Sequence, residues 1–436
     1  MKQKLLHLLL LLLYSGFALG QAQYKVLYNF GTNPNDALNI SGTLATDRNG
    51  DLFGTSQVGG IVPNCIGGGC GTVFEVSPNP DGTWAETIPY DFCPESGCAD
   101  GMFPETGVVV DSAGNLYGVT PYGGLLSTIC YESLDFQAGC GVVFELSPPR
   151  VPGGAWTYSL LYSFCSQVSN NVCQDGAVPM GLTIDKSGNL YGTTGAGGST
   201  NYGTVFELSS GAGGWTEAVL YNFCPGGGPD CPGGAGPGVG VTLDQSGNLY
   251  GTTNTYSEQL YGATVYKLSH GNAGWTENVI YTFPKVQSQQ RTYTIIGPVT
   301  IDSEHDLYTT FILNYSPNFY IGNGGLAEMT DRGLTRVFTF DGSNGKDPIG
   351  PLLVNEKRRL LYGVTSGVPG FGEGGNVYEI NTLDQETVLY DFCEPGNCED
   401  GYYSTGGVIE GTSGNLYGDT SLGGSFNNGV VFELIP

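Results

Sequence analysis

Gly181-Leu-Thr-Ile-Asp185-Lys-Ser-Gly188-Asn-Leu-Tyr191-Gly-Thr-Thr194, followed by Gly203-Thr-Val-Phe-Glu-Leu208 and by Trp215 through Tyr221-Asn-Phe223, is the clearest copy of a phrase that occurs seven times between Tyr24 and Pro436. Its short runs are rich in Val, Thr, Tyr and Phe and are bounded by Gly, Asp and Asn, the pattern of strands joined by tight turns. Each copy, roughly 60 residues long, supplies four such strands. Four short strands cannot bury their apolar faces alone, and seven copies stack most economically as blades around an axis. The expected fold is all-β, a seven-bladed β-propeller of four-stranded antiparallel blades.

Four landmarks recur in order. A first apolar strand ends near an acid and a turn, as in Leu44 to Asp47, Val108 to Asp111 and Val241 to Asp244. A Leu-Tyr-Gly strand follows around Phe53, Tyr117, Tyr191, Tyr250, Tyr308, Tyr362 and Tyr417. The third strand is Gly-x-Val-Phe-Glu-Leu around Phe74, Phe144, Phe206, Tyr266, Ala327, Tyr378 and Phe432, and the fourth carries an aromatic-x-aromatic pair such as Tyr90 and Phe92. The units around 297–330 and 350–380 depart most, with Thr309 in place of the usual Gly and an extra residue before Tyr362. Because Tyr24 to Phe30 is a fourth-type strand and the last repeat ends after its third, the first strand is expected to complete the last blade. That closure would remove the open edges that invite aggregation and make residues 21–436 one domain.

Residues 1–20 read as a secretory signal, with Lys2 and Lys4, a Leu-rich run from Leu5 to Leu13, and cleavage after Gly20. The run is too short to span a bilayer, so a secreted or periplasmic protein without a membrane span is expected. The 12 cysteines stand in local pairs, Cys65 with Cys70, Cys93 with Cys98, Cys130 with Cys140, Cys165 with Cys173, Cys224 with Cys231, and Cys393 with Cys398. On an exported chain such pairs read as six small disulfide loops. Zinc is the competing reading, disfavoured because no pair has C-x-x-C spacing and no His lies beside one. Removing Lys2 and Lys4 with the signal leaves 41 acidic against 13 basic residues, a side-chain balance of about −28. That sign argues against nucleic acid and anionic membrane surfaces as partners. It suits a soluble protein, expected as a monomer, or a face that binds cations or polyols.

In an up-and-down blade, the loop from strand two to strand three shares a face with the loop from strand four to the next blade. Every cysteine pair falls in one of these two loop types, so all six staples are expected on one face. Each closes a loop of roughly 6 to 11 residues, which the chain-entropy argument values at about 2 to 3 kcal/mol. The opposite face carries tight Asp-x-x-Gly turns and short connections to Trp84, Trp156, Trp215 and Trp275.

The phrase resembles the GloVer tandem-repeat family of secreted bacterial proteins, marked by Leu-Tyr-Gly-Thr-Thr, Gly-Gly and Gly-Thr-Val-Phe-x-Leu. It stands almost intact as Leu190 to Leu208 and with variation as Leu116 to Leu146 and Leu416 to Leu434. The resemblance covers essentially the whole mature chain. It implies an exported propeller and brings no catalytic residues with it.

Candidate site residues fall into three groups. Asp47, Asp111, Asp185, Asp244 and Asp302 precede hairpin turns and are expected to accept hydrogen bonds from the turns' own amides. A second series, Asp36, Asp100, Asp175, Asp347 and Asp400, precedes the first strand on the stapled face. There it could ring the channel mouth and bind Ca²⁺ or sugar hydroxyls, or act as a turn or interblade clasp. Tyr122, Tyr131, Tyr202 and Tyr256 in the loops between the second and third strands, with Tyr402 in a neighbouring loop, suit sugar or protein contacts. In the fourth strand, period-two alternation places Trp215, Val219, Tyr221 and Phe223 on one side.

For catalysis the inventory is thin. The mature chain has only His270 and His305, both expected on the face opposite the staples, so a Ser/His/Asp or metal-His site is not expected. The expected function is an extracellular binding or scaffold module, with no required cofactor and a glycan or protein partner on the stapled face. The alternatives are a carbohydrate-active hydrolase or lyase using loop carboxylates and a purely structural envelope protein.

Overall fold

The structure, a computed structural model, describes residues 22–436 apart from 62–64, 66–67, 131–138, 152, 228–230, 255–261, 285–290, 296, 316–319, 322, 368–373 and 394–395. Seven antiparallel sheets are formed, each ordered from the inner to the outer strand. Blade 1 comprises Ala37–Thr46, Leu52–Gly59, Thr72–Pro78 and Trp84–Asp91, and blade 2 Val108–Val110, Leu116–Thr120, Val142–Ser147 and Thr157–Ser163. Blade 3 comprises Ala177–Ile184, Leu190–Ala196, Thr204–Gly211 and Gly214–Asn222, and blade 4 Thr242–Leu243, Leu249–Thr253, Thr264–Gly271 and Gly274–Thr282. In blade 5 the inner strand is split into Arg291–Ile295 and Thr300–Ile301, both paired with Leu307–Tyr315, and Gly325–Thr330 and Gly333–Thr339 lie outside. Blade 6 is Pro348–Asn355, Leu360–Thr365, Asn376–Asn381 and Glu386–Asp391. Blade 7 is Ile409–Glu410, Leu416–Thr420 and Val430–Ile435, completed by Gln23–Asn29 in register Tyr24 with Leu434 and Val26 with Phe432. The two divergent repeats are blades 5 and 6.

The recurring Gly of the second strand is required by close approach. A Cβ on Gly192 would lie 2.6 Å from Phe206 Cζ, and one on Gly54 2.3 Å from Phe74 Cζ, so the third-strand ring lies flat over the glycine. Each of these rings in turn meets, edge to face, the last aromatic residue of the preceding blade: Phe30 with Phe74, Phe92 with Phe144, and Phe164 with Phe206, all at 5.1 Å between centroids. The same contact joins Phe223 to Tyr266, Phe340 to Tyr378, and Phe392 to Phe432. These fully buried rings form the blade seams, and edge-to-face pairing adds about 0.5 to 1.5 kcal/mol to each beyond area burial.

The expected single-sided fourth strand is corrected by a β-bulge. In blade 3, Phe206 pairs with Val219 but Val205 with Tyr221, so the register shifts at Leu220 and alternation reverses. Trp215 packs back on Tyr117 of blade 2, whereas Phe223 reaches forward to blade 4. Comparable shifts precede the Tyr in blades 1, 2, 4, 6 and 7, and in blade 5 the shift falls at Thr335 instead. One outer strand thereby contacts both neighbours.

Around the axis the inner strands touch through backbone. A Cβ on Gly406 would meet Gly42 O at 2.3 Å, and one on Gly350 would meet Gly407 N at 2.4 Å. Side-chain hydroxyls bridge successive blades: Ser41 to Pro104 O, Thr193 to Val239 O, Thr300 to Leu352 O and, across the closure, Thr405 to Ile40 O.

Candidate binding face

Antiparallel pairing throughout puts the two cysteine-bearing loop types on one face, and all six disulfides form as paired in the sequence. Six disulfides fit an extracellular or periplasmic location. Residues 1–20 lie outside the described residues, and among those described no helix is long and apolar enough to cross a membrane.

The second aspartate series stands at the seams, against the outer strands. Tyr28 donates to Asp36 (2.9 Å), Tyr90 to Asp100 (2.8 Å), Tyr162 to Asp175 (2.8 Å) and Tyr390 to Asp400 (2.8 Å). Each carboxylate also accepts a backbone amide of its own loop, from Asn33, Cys93, Ser166 and Cys393 respectively. Asp347 is buried at the corresponding place before blade 6. These contacts make an interblade clasp rather than a ring about the channel mouth. Among the described residues no three carboxylates converge within 4.8 Å.

A third partner at these seams is absent from the sequence reading. Two residues after the outer-strand Trp, Glu86 and Glu217 face the preceding blade's Tyr and Asp. Burial, with the charges of Asp36 and Asp175 beside them, pushes the Glu86 carboxyl up to about 9 and that of Glu217 to about 8. Glu277 accepts from Tyr221 at 2.8 Å, and burial raises it to about 7. Tyr158 and Tyr24 occupy the same place at two other seams, where they donate to the backbone carbonyls of Asp100 and Asp400 and stack on Tyr90 and Tyr390. The Trp-x-Glu spacing was the available signal, hidden because the bulge that turns the strand leaves no mark in its composition.

Of the candidate tyrosines, Tyr122 is half-buried against Phe103, Tyr202 packs on the Cys224–Cys231 disulfide and Ala235, and Tyr402 packs into the blade 7 core and pairs with Leu422. Tyr131 and Tyr256 lie outside the described residues. What this face does expose is aliphatic: Ile61, Leu125, Leu126, Val168 and Phe426 are 48% to 64% exposed, all in loops of blades 7, 1 and 2. Glu105, just before the inner strand of blade 2, is raised by burial, and its charge acts on the Tyr122 phenol.

The opposite face holds the expected turns. Asp185 accepts from the amides of Ser187 (2.7 Å) and Asn189 (2.9 Å), and Asp47, Asp111, Asp244 and Asp302 do the same. It is less flat than the short turns suggested. A cavity of about 510 Å³ lies between the turns of blades 1 and 2, lined by Asp47, Arg48 and Asp111, and one of about 440 Å³ lies between blades 5 and 6, lined by Asp306, Glu328, Arg336 and Arg359. His270 packs on Trp275, and His305 closes the Asp302 turn.

No family model and no curated protein matches the sequence. Solved structures similar to it include the polysaccharide lyase Uly1 (TM-score 0.53, 13% identity, 97% of this chain and 94% of that one) and the Trypanosoma rangeli sialidase in complex with sialic acid (0.43, 14%, 84% and 58%). The PQQ-bound aldose sugar dehydrogenase of Streptomyces coelicolor is similar at 0.43 and 12% identity, over 95% and 98%. At such identities the likeness is one of fold alone.

Proposed function

We propose that this chain is a secreted binding or scaffold propeller of the GloVer type whose partner is a protein docking on the disulfide-bearing face. The supporting observation is the set of exposed apolar side chains on three consecutive blades, presented by loops that disulfides and Tyr-Asp clasps hold in place. Exposed aliphatic side chains grouped on a braced surface suit protein contact better than sugar hydroxyls. The test is photo-crosslinking on producing cells from positions 126 and 426, with the exposed turn-face Leu383 as control, beside a glycan array run with and without Ca²⁺. A discrete protein adduct from 126 and 426 but not from 383 is expected. Equal yields from all three, or glycan binding with no adduct, would overturn it.

A second reading, a carbohydrate-active hydrolase or lyase, draws on Glu105. A carboxyl raised by burial beside a phenol is a reasonable proton donor to a leaving sugar oxygen. Turnover of an acidic polysaccharide that vanishes in Glu105→Gln, with unfolding unchanged, would put this reading first.

A further inference from the structure

Folding brings cysteine pairs together two by two. The pair in the loop between the second and third strands of blade 1 lies against the pair that follows its outer strand, so the Sγ atoms of Cys65, Cys70, Cys93 and Cys98 all lie within 4.8 Å of one another. Blade 2 repeats the arrangement with Cys130, Cys140, Cys165 and Cys173, where Cys140 Sγ and Cys173 Sγ are 4.0 Å apart. Three cysteines of each quartet are buried. Neither arrangement depends on the S–S bonds alone, because backbone hydrogen bonds hold the same loops: Phe103 N to Cys70 O (2.8 Å) in one and Val178 N to Cys140 O (2.9 Å) in the other. The remaining pairs, Cys224–Cys231 and Cys393–Cys398, join no such quartet.

Four sulfurs in this volume match a second chemistry. Zinc bound by four thiolates has Zn–S distances of about 2.3 Å, which places the sulfurs about 3.8 Å apart at the corners of a tetrahedron. The quartets fall inside that envelope once their S–S bonds open. We propose that in the reduced chain each quartet is a site for one thiophilic divalent cation such as Zn²⁺, which replaces the two disulfides as the brace of the face. Reduction by a dithiol or phosphine delivers four electrons and four protons to a quartet, breaking two S–S bonds and forming four thiols. Binding the cation releases those four protons, since thiolates are the ligands. The cysteine spacing hides the site because its ligands come from two loops separated by a whole strand pair.

The test is titration with Co²⁺, whose tetrahedral thiolate complexes absorb in the visible and near-ultraviolet, of the mature chain fully reduced by a phosphine under argon. Two Co²⁺ per chain are expected, one for each quartet, displaced by Zn²⁺, with none bound by the oxidised chain. The double variant Cys93→Ser/Cys98→Ser should bind one, and Cys224→Ser/Cys231→Ser should still bind two. Absence of thiolate absorption in the reduced chain, or a stoichiometry that Cys93→Ser/Cys98→Ser leaves unchanged, would overturn the proposal. Should the reduced apo chain unfold, Zn²⁺ is added before the reductant and near-ultraviolet circular dichroism is followed. Retention of the folded signal only with Zn²⁺ supports the sites, and loss with and without it overturns them.

Discussion

Phe283 and Phe311 meet with ring centroids 5.4 Å apart at the seam between blades 4 and 5, the one seam where the receiving ring comes from a second strand. At the same place in the third strand stands Ala327, and it pairs with Thr309, which replaces the glycine. The two departures are one compensated exchange. With no third-strand ring to lie flat, the glycine is not needed, and Phe311 fills the seam from the neighbouring strand.

Phe311→Ala should therefore cost about 3 to 5 kcal/mol, the usual range for a buried Phe. Adding Thr309→Gly and Ala327→Phe rebuilds the pattern of the other blades and should recover part of that loss. Urea midpoints for the single and triple variants decide this, and a triple variant less stable than Phe311→Ala alone would refute the compensation.

Gly192→Ala should cost about 1 to 3 kcal/mol by overpacking, because its methyl would stand 2.6 Å from Phe206 Cζ. In a Phe206→Ala background the same change should cost markedly less. A double-mutant cycle measures the coupling.

Glu86 and Glu217 make stability depend on pH. Their folded-state values, about 9 and about 8, lie above the ordinary carboxyl value, so folding favours the protonated forms. Their contribution is full below the unfolded value near 4.5 and is lost as pH rises through 8 to 9. Thermal midpoints should fall from pH 5 to pH 9, and Glu86→Gln, which keeps an acceptor for the Ala37 amide, should flatten that fall.

Asp419 is 1% exposed, and neither carboxyl oxygen has a hydrogen-bond partner among the described residues. Burial alone pushes it up to about 8. The equivalent residues Thr55 and Thr193 donate to inner-strand carbonyls at 2.9 Å. Asp419→Thr should raise the melting temperature, with a larger gain at pH 9 than at pH 5. A lower melting temperature at pH 9 would mean that this carboxylate has a role at the closing seam.

Removing Gln23–Asn29 should leave Val430–Ile435 as an open edge, since only that strand covers it. The shortened chain is expected to aggregate, as light scattering during refolding would show. A soluble, monodisperse product would refute the closure.

Blade number, strand order, circular closure, the turn aspartates and the disulfide pairs were legible in the sequence, because each follows from local chemistry repeated at a fixed period. A Gly beneath a Phe, an Asp two residues before the amide it accepts and a Cys five residues from its partner are all short-range relations. Even blade 5, where Thr309 and Ala327 obscure the phrase, kept its place through the repeats on either side.

Tertiary structure alone decided which residues meet across seams. A single extra residue at Leu220 reverses the side on which Tyr221 and Phe223 emerge, and no propensity marks it. That reversal sends Trp215 and Glu217 to one neighbour and Phe223 to the other. It assigns Asp36, Asp100, Asp175 and Asp400 to clasps, and the stacking of loops within blades 1 and 2 draws separate cysteine pairs into quartets. The physical reason is range: a repeat specifies its own strands through nearest-neighbour chemistry, whereas the environment of a seam residue is set by a partner some 50 residues away, whose orientation depends on the twist and bulges of the intervening sheet.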